Sequence, residues 1–337
     1  MVNKNNKIIN YSALYVTPVR LILGWQFFSA FLRRIVNDPE KLDPSSAAFM
    51  GHAFNHFLPH ALFIKPLIAY LIVNPSLLYI FLVAFTIIEG IVGIGLIAGF
   101  FTRLSAIGAT LLSFGILLGS GWLGSTCVDE WQIGIAGIAM GLVVFLTGSD
   151  AFSIDYLFFR QQKNKFTFLT SGKLNLNDLQ LKRMALFFSF TAIFIALFTY
   201  QAFHNGLYGR LFNLSKEPKI EIQNAKLYHD GSLNITLYRT DGPDTYGAFI
   251  TQIMIMDKNN VPLEIFHPNK ANSSYVQIKD FFFNKSTLND MSLTIPLGAK
   301  TQLLLKPDHA LFINDGDYKV IVQDVSGLKW NSPISLN

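Results

Sequence analysis

Cysteine is almost missing from this chain, with one residue in 337. A single cysteine excludes an internal disulfide and any cysteine-rich zinc or iron–sulfur site. Charge is also scarce, because Asp, Glu, Lys and Arg make up 15% of the residues, against about 25% in average soluble proteins. Together with a hydrophobic content of 51%, this composition indicates an integral membrane protein.

Several motifs of soluble enzymes are missing too. The sequence has no Ser-His-Asp elbow, no P-loop and no basic stripe of the kind that binds nucleic acid. The net charge of +5 comes from Lys and Arg in short loops beside apolar runs, where membrane topology explains them. We therefore expect no nucleic-acid partner.

Long apolar runs fill the chain up to about Gly206, and a membrane span needs about 20 mostly apolar residues. Five runs are candidates: 14–35, 77–100, 104–123, 131–147 and 184–203. No small-residue cleavage site follows the first run, so we expect a retained span rather than a signal peptide. A cytoplasmic N-terminus puts nine loop Lys and Arg residues inside and four outside, as the positive-inside rule favours. We expect a multi-pass protein of the cell membrane.

After Gly206 the pattern changes to short alternating segments such as KIEIQNAKLY and YKVIVQDV, separated by Asp-Gly and other turn signals. This spacing is typical of an antiparallel sandwich. The predicted fold is an α-helical membrane bundle of four spans plus one anchor span, followed by an all-β Ig-like sandwich. The predicted domains are the four-helix bundle (1–159), a basic cytoplasmic linker (160–183), the anchor helix (184–209) and an extracytoplasmic β domain (210–337). Residues 44–70 are expected to form short helices on the outer face.

Glu89 lies inside the second run, where a carboxylate costs a few kcal/mol. It should face the bundle interior and be protonated or paired, and Arg20 in the first run is its candidate partner. The functional interpretation is a proton relay or a ligand of a quinone carbonyl. The alternative is a structural pair that joins two helices.

Cys127 lies between the third and fourth runs, next to Asp129, Glu130 and Trp131. A lone cysteine is usually a small apolar residue, but this one lies in a polar connection. The two carboxylates oppose a thiolate, so reactivity would need a nearby arginine or the N-terminus of the fourth helix. Trp131 has the position of an interfacial anchor.

Arg33 and Arg34 end the first run on the side that should be poor in positive charge. They either extend to lipid headgroups or form an anion site, since guanidinium groups suit oxyanions.

His52, His56 and His60 recur every fourth residue, a spacing that places side chains on one helical face. This row is a weak candidate for a metal or a haem, because Pro59 interrupts it. Interfacial polar residues are the alternative interpretation, and no bound metal is predicted.

Three stretches, YVTPVRLILGWQFFSAFLRRI, EGIVGIGLIAGFFTRLSAIGA and GSGWLGSTCVDEWQIGIAGIAMGLVVFLTG, resemble the DoxD subunit of thiosulfate:quinone oxidoreductase, among the DoxX-like membrane proteins. The region from about Lys182 to the end is similar to the partner subunit DoxA. The chain thus resembles a fusion of the two, and the order of the modules is more specific than any single motif.

The resemblance implies oxidation of two thiosulfate ions to tetrathionate, with a membrane quinone as electron acceptor. It supplies no catalytic residues, so the expected site comes from the residues themselves. We expect Cys127, Glu89, Asp129 and Glu130 to act in catalysis, and Arg33, Arg34, Arg20 and Trp131 to bind substrate. The expected partners are thiosulfate, quinone and the bilayer, and a homo-oligomer is left open. The alternatives are a non-catalytic membrane scaffold or assembly protein and a haem- or metal-binding electron-transfer subunit.

Overall fold

The computed structural model describes residues 11–124, 129–159, 176–245, 247–309 and 313–337. The chain divides into two compact units. The first contains Met1–Met50, Ser76–Gly121 and Asp129–Phe212, and the second contains Gly51–Pro75, Trp122–Val128 and Asn213–Asn337. Each unit therefore combines segments that are far apart in sequence.

The first unit is helical. Its helices are α1 (Tyr11–Leu32), α4 (Pro75–Ala98), α5 (Thr102–Ser120), α6 (Asp129–Thr147), α7 (Ile154–Phe159) and α8 (Asp178–His204). A π-helical turn (Arg33–Asn37) and a 3-10 turn (Pro39–Leu42) follow α1. In the described part of the chain, α4, α5, α6 and α8 are long and apolar enough to cross a membrane.

Four of the five predicted spans are thereby confirmed as apolar helices. The first predicted span is a helix of 22 residues, α1, but it is not among the helices that are apolar enough to cross. Its sequence includes Pro18 and the buried Arg20, which lower its apolar character. The α-helical part of the predicted fold class is confirmed, with α1 as a less apolar member.

Small residues let the helices of this unit approach closely. A Cβ atom on Gly137 of α6 would lie 2.2 Å from Ser113 Oγ of α5, and one on Gly141 would lie 2.1 Å from Thr110 Oγ1. Close packing through small residues is the common solution between membrane helices. The core beside this contact consists of Leu23, Phe27, Val92, Leu96, Ala106, Ala109, Val144 and Phe145.

The start of the anchor helix differs from the prediction. Helix α8 begins at Asp178, six residues before the predicted helix start at 184, and the predicted cytoplasmic linker stays a prediction. Asn177 caps the helix by accepting a hydrogen bond from the Gln180 N–H, and the Gln180 side chain accepts one from the Asn177 N–H. This capping box satisfies two N–H groups at the helix start. The helix can therefore begin in polar sequence, before its apolar residues.

The described residues of the second unit form ten strands. They are β1 (Lys219–Leu227), β2 (Leu233–Asp241), β3 (Ala248–Met256), β4 (Pro262–Phe266), β5 (Val276–Asp280), β6 (Thr287–Leu288), β7 (Leu293–Ile295), β8 (Lys300–Leu305), β9 (Tyr318–Asp324) and β10 (Lys329–Leu336). The sheet order is β5-β8-β2-β1-β10-β9-β3-β7-β6, with β4 paired to β3. A short parallel pairing, Lys226 with Ser335 and Leu227 with Leu336, joins the two antiparallel halves.

Alternating side chains of both halves form one core. In β8 the buried residues are Thr301, Leu303 and Leu305, each separated by a half-buried one. Leu237 and Leu303 of one half belong to the same core as Ile253 and Val322 of the other. The predicted all-β domain is confirmed as a sheet that curls around its own core.

The second unit also contains two short helices, α2 (Gly51–Phe57) and α3 (Lys65–Val73). They agree with the short helices predicted for residues 44–70, although α3 continues to Val73, and the position on the outer face stays a prediction. The same unit includes the start of the connection between α5 and α6 at Trp122. The β domain therefore forms one compact body with segments from the membrane half of the sequence.

Candidate functional site

The two arginines at the end of α1 lie in the π-helical turn. Arg33 is exposed, whereas the Arg34 side chain is 16% exposed. A guanidinium group that is withdrawn from solvent needs hydrogen-bond acceptors. The partners of Arg34 therefore define the site.

Those partners are on α4. Arg34 Nη1 donates to Glu89 Oε2 and lies 3.5 Å from Thr86 Oγ1. The Arg34 guanidinium carbon lies 6.0 Å from the centre of the Phe85 ring. Glu89 is buried, with 3% of its side chain exposed. Glu89 is thus a paired interior carboxylate, as expected, but its partner is Arg34, so the expected pairing with Arg20 is wrong.

Glycines on α4 bring this ion pair together. A Cβ atom on Gly90 would lie 2.7 Å from the Phe31 ring, and one on Gly93 would lie 2.5 Å from the Phe28 backbone nitrogen. Because contacts at 28 and 31 meet residues 93 and 90, the two helices run antiparallel. Continuing the same offset places Arg34 beside Glu89 and Thr86.

Arg20 forms a separate ion pair near the middle of α1. Its Nη2 and Nε both donate to Asp150 Oδ2, at 3.1 Å and 3.3 Å. Its Nη1 donates to the carbonyl oxygens of Leu96 and Ile97 near the end of α4. Thr17 Oγ1 also donates to Asp150, at 2.7 Å. A cation at the last carbonyls of a helix is favourable. Arg20 therefore ties α1 to α4 and to the segment after α6, and its predicted role in substrate binding stays a prediction.

Asp150 was not predicted from the sequence. It lies after α6 in the loop of sequence TGSD, outside every apolar run, so its burial had no local signal. Asp155 was missed for the same reason. Its carboxylate accepts hydrogen bonds from the N–H groups of Phe101 (2.9 Å) and Thr102 (2.8 Å) at the start of α5. It caps that helix across a gap of more than fifty residues.

Cys127 lies outside the described residues, so its distance from the arginines stays untested. Asp129 and Glu130 occupy the first turn of α6, Asp129 exposed and Glu130 half-buried. The indole N–H of Trp131 donates to Thr199 Oγ1 of α8 at 2.9 Å, and the Trp131 ring centre lies 5.0 Å from that of Tyr200. Trp131 thus contributes to the contact between α6 and α8.

His52 and His60 have different partners. His52 Nδ1 lies 2.6 Å from Asn284 Oδ1, and His60 Nε2 lies 2.8 Å from Asp241 Oδ1. Burial lowers the pKa of His56 to about 4. Among the described residues, the group whose ligand atoms are close enough for one cation is Glu264, Asp308 and His309, not the histidine row. Ion pairs of His309 with both carboxylates account for that group.

The residues on α1 and α4 can therefore do two things. Arg33, Arg34 and Glu89 together carry one excess positive charge when the carboxylate is ionised, which suits an anion. A buried carboxylate among apolar helices can also take up or release a proton. The arrangement fits an anionic substrate and a proton-coupled acceptor.

Two families match the chain, one after the other. The family described as TQO small subunit DoxD matches residues 15–177, and the family described as TQO small subunit DoxA matches residues 203–333.

Two solved structures are similar to a part of the chain. A β-glucosidase from Listeria innocua in complex with glucose is 12% identical, with 38% of this chain and 17% of that chain covered and a TM-score of 0.18. A cohesin module from a Clostridium perfringens family 33 glycoside hydrolase is 12% identical, with 36% and 95% covered and a TM-score of 0.17. This chain thus spans 17% of the length of the first. Such scores support no conclusion about fold or function.

Proposed function

Since this chain belongs to the small-subunit family of thiosulfate:quinone oxidoreductase, with a DoxD part (15–177) followed by a DoxA part (203–333), we propose that it oxidises thiosulfate to tetrathionate at the outer side of the cell membrane. The two electrons pass to a membrane quinone. The overall reaction consumes two thiosulfate dianions, one quinone and two protons, and yields one tetrathionate dianion and one quinol.

The observation that carries this proposal is the buried Arg34–Glu89 pair beside the exposed Arg33. Two thiosulfate dianions repel each other, so a site that joins them needs fixed positive charge. Arg33 and Arg34 supply that charge. Reduction of the quinone needs protons at the same place, and Glu89 is the buried group that can deliver them.

Arg34 links these two roles. Arg34 faces the Glu89 carboxylate, so an ionised Glu89 compensates one positive charge. When Arg34 turns its donors to a thiosulfate anion, Glu89 loses its counter-charge and takes up a proton more readily. Anion binding thereby prepares the carboxylate to donate a proton. Asp129 and Glu130 provide a second proton source near Cys127 in sequence.

We assign the sulfur chemistry to Cys127. The thiolate and one thiosulfate are joined by a new S–S bond in a Cys–S–S–SO3 adduct. Forming this bond gives up two electrons, which pass to the quinone, and two protons complete the quinol. The terminal sulfur of a second thiosulfate attacks the adduct sulfur that carries the SO3 group, the bond between that sulfur and the cysteine sulfur breaks, and tetrathionate leaves with the thiolate restored. Charge and atoms balance, and one cysteine suffices.

A scaffold without catalytic activity is the second candidate, and one observation favours it. Arg34 and Glu89 satisfy each other, as a purely structural pair that joins α1 to α4 would do. Burial of an ion pair is itself no sign of catalysis.

Thiosulfate-dependent reduction of a soluble quinone by the purified protein separates the two candidates. We expect turnover in the unmodified protein and a loss of about a hundredfold or more in Glu89→Gln, the size of a lost proton donor. Asp150→Asn is the matched control, because it removes one carboxylate charge from the other buried pair. Rates are compared per amount of folded protein.

The control should keep its turnover per folded molecule. Equal losses in Glu89→Gln and Asp150→Asn would reduce Glu89 to a structural residue, and no turnover in the unmodified protein would favour the scaffold. Full activity in Cys127→Ala would exclude the covalent scheme and leave electron transfer without a cysteine adduct.

A further inference from the structure

We propose that residues 51–60 and 122–124 of the DoxD part are the docking surface for the DoxA part. The contacts across it lie within one compact unit, which contains both segments and the β domain. We call this set of contacts the docking seam. The inference concerns how the two parts are held together, and it is independent of the proposed reaction.

Asn55 of α2 lies at the centre of the docking seam. It is fully buried. Its Nδ2 donates to the Gly298 carbonyl oxygen at 3.3 Å, and its Oδ1 accepts a hydrogen bond from the Asn284 N–H at 3.1 Å. A buried amide without partners costs about 1–3 kcal/mol. Both partners belong to the β domain, so Asn55 depends on it for its hydrogen bonds.

Gly298 brings the two backbones into direct contact. A Cβ atom at this position would lie 1.7 Å from the Asn55 carbonyl oxygen, a distance that no side chain can adopt. The residue also has a φ of +72°, which favours glycine. The turn between β7 and β8 is thus shaped to accept the end of α2.

Two histidines of the former candidate metal row flank this centre. His52 Nδ1 lies 2.6 Å from Asn284 Oδ1, and the Asn284 Nδ2 donates back to the His52 carbonyl at 3.3 Å. The His52 ring centre lies 5.1 Å from that of Phe283. On the other flank, His60 Nε2 lies 2.8 Å from Asp241 Oδ1. His52 and His60, which the sequence suggested as members of a metal-ligand row, therefore contact the β domain.

The connection after α5 completes the docking seam. Trp122 is fully buried. Its indole N–H donates to the Phe57 carbonyl at 3.3 Å, and its ring centre lies 4.8 Å from that of His60. From the β-domain side, Ser215 Oγ donates to the Trp122 carbonyl at 3.3 Å and Asn213 Nδ2 to the Gly124 carbonyl at 2.6 Å. Two separate segments of the DoxD part are thus recognised together.

These contacts have the character of a specific protein–protein interface, with a buried polar centre, a close backbone approach and a large aromatic anchor. The covalent link to the membrane part is a short segment after α8, whose residues 207–211 are exposed. The docking seam, rather than this link, should therefore hold the β domain in place.

The test uses the full-length protein in detergent, with a protease recognition site inserted between Tyr208 and Gly209. The folded protein is cleaved and then analysed by size-exclusion chromatography. We expect the severed β domain to co-elute with the membrane part. Gly298→Ala should weaken this association by at least about tenfold, as expected for the loss of a buried hydrogen-bonded centre.

Gly327→Ala is the matched control. Gly327 also has a positive φ, +89°, but a Cβ atom there would meet no atom within 4 Å. Both variants thus carry the same kind of backbone strain, and Gly298→Ala alone adds a collision at the docking seam. Association in Gly327→Ala should match that of the unmodified protein.

A variant on the opposite side guards against misfolding of the β domain. Asn55→Ala leaves every residue of that domain unchanged and should also release it after cleavage. Separate elution after cleavage of the unmodified protein would overturn the proposal. So would equal retention in Gly298→Ala and Gly327→Ala. Neither readout involves thiosulfate or quinone, so failure here leaves the proposed function unaffected.

Discussion

Arg20 and Arg34 lie fourteen residues apart in sequence, about 20 Å along a helix, and end in different surroundings. Arg20 is enclosed by Asp150 and two carbonyl oxygens. Among the described residues Arg34 pairs with one carboxylate, that of Glu89, and part of its side chain is exposed. A cation that exchanges its carboxylate partner for a substrate anion must remain accessible to that anion. The difference in access is the reason to assign substrate binding to Arg34 and a structural role to Arg20.

His56 gives a prediction about pH at the scale of a single residue. Burial lowers its pKa to about 4 in the folded protein, from 6.5, and Arg239 and His52 act in the same direction while Asp244 opposes them. Between these two pH values the unfolded chain binds a proton that the folded chain does not. The free energy of unfolding should therefore fall by about 3 kcal/mol as the pH drops through this window.

Denaturation midpoints of the unmodified protein and of His56→Asn, measured from pH 7.5 to pH 4, check this expectation. The unmodified protein should lose more stability on acidification than the variant, and the two curves should run parallel above about pH 7. Identical acid dependence would mean that His56 is not held neutral by the fold.

At the scale of elements, the glycine face of α4 decides how the bundle assembles. Gly90 and Gly93 let the backbone of α1 lie directly against α4. Their absent side chains set the offset between the helices, and the offset selects which arginine meets Glu89. The packing of α1 against α4 consequently determines the geometry of the candidate site.

Gly93→Ala should destabilise the bundle, because its Cβ atom would lie 2.5 Å from the Phe28 nitrogen, which belongs to backbone and cannot turn aside. Such overpacking costs about 1–3 kcal/mol. Gly115→Ala on α5 is the matched control, since a Cβ atom there would meet nothing within 4 Å. It should be neutral or stabilising by up to about 1 kcal/mol through helix propensity. Thermal unfolding of both variants in detergent is the measurement, and an equal shift in both would contradict this account of α4.

For the whole molecule, the side on which the β domain lies follows from α8 alone. The basic residues before this helix place its start in the cytoplasm by the positive-inside rule. Whether or not α1 crosses the membrane, a crossing by α8 then puts residues 213–337 outside. This orientation stays a prediction, and it would give the DoxA part access to thiosulfate outside the cell.

Cysteine labelling tests the orientation. In a Cys127→Ser background, Met291→Cys introduces a thiol at a position that is 81% exposed on the β domain. It should react with a membrane-impermeant maleimide on intact cells. Lys163→Cys, in the basic segment before α8, should react only after the membrane is opened. The reverse pattern would place the β domain in the cytoplasm and contradict the proposed site of thiosulfate oxidation.

Much of the fold could be predicted from local sequence. The apolar runs predicted α4, α5, α6 and α8, and the alternating pattern after Pro218 predicted an all-β domain. Helix ends were less accurate, as at α8, because a capping box such as Asn177 with Gln180 extends a helix into polar sequence. The role of His52 and His60 was not predictable either, because Asn284 and Asp241, their partners, lie far away in sequence.

The sequence by itself determined the membrane character, the order of the two family regions and the presence of a carboxylate inside an apolar helix. These depend on composition and on the length and period of apolar runs, which are local properties. Only the tertiary structure decided which charges pair. The choice of Arg34 over Arg20 for Glu89, and of Asp150 for Arg20, depends on the offset between α1 and α4 and on a loop beyond α6. Such offsets arise from contacts such as Phe28 with Gly93, which join residues distant in sequence and leave no local pattern to read.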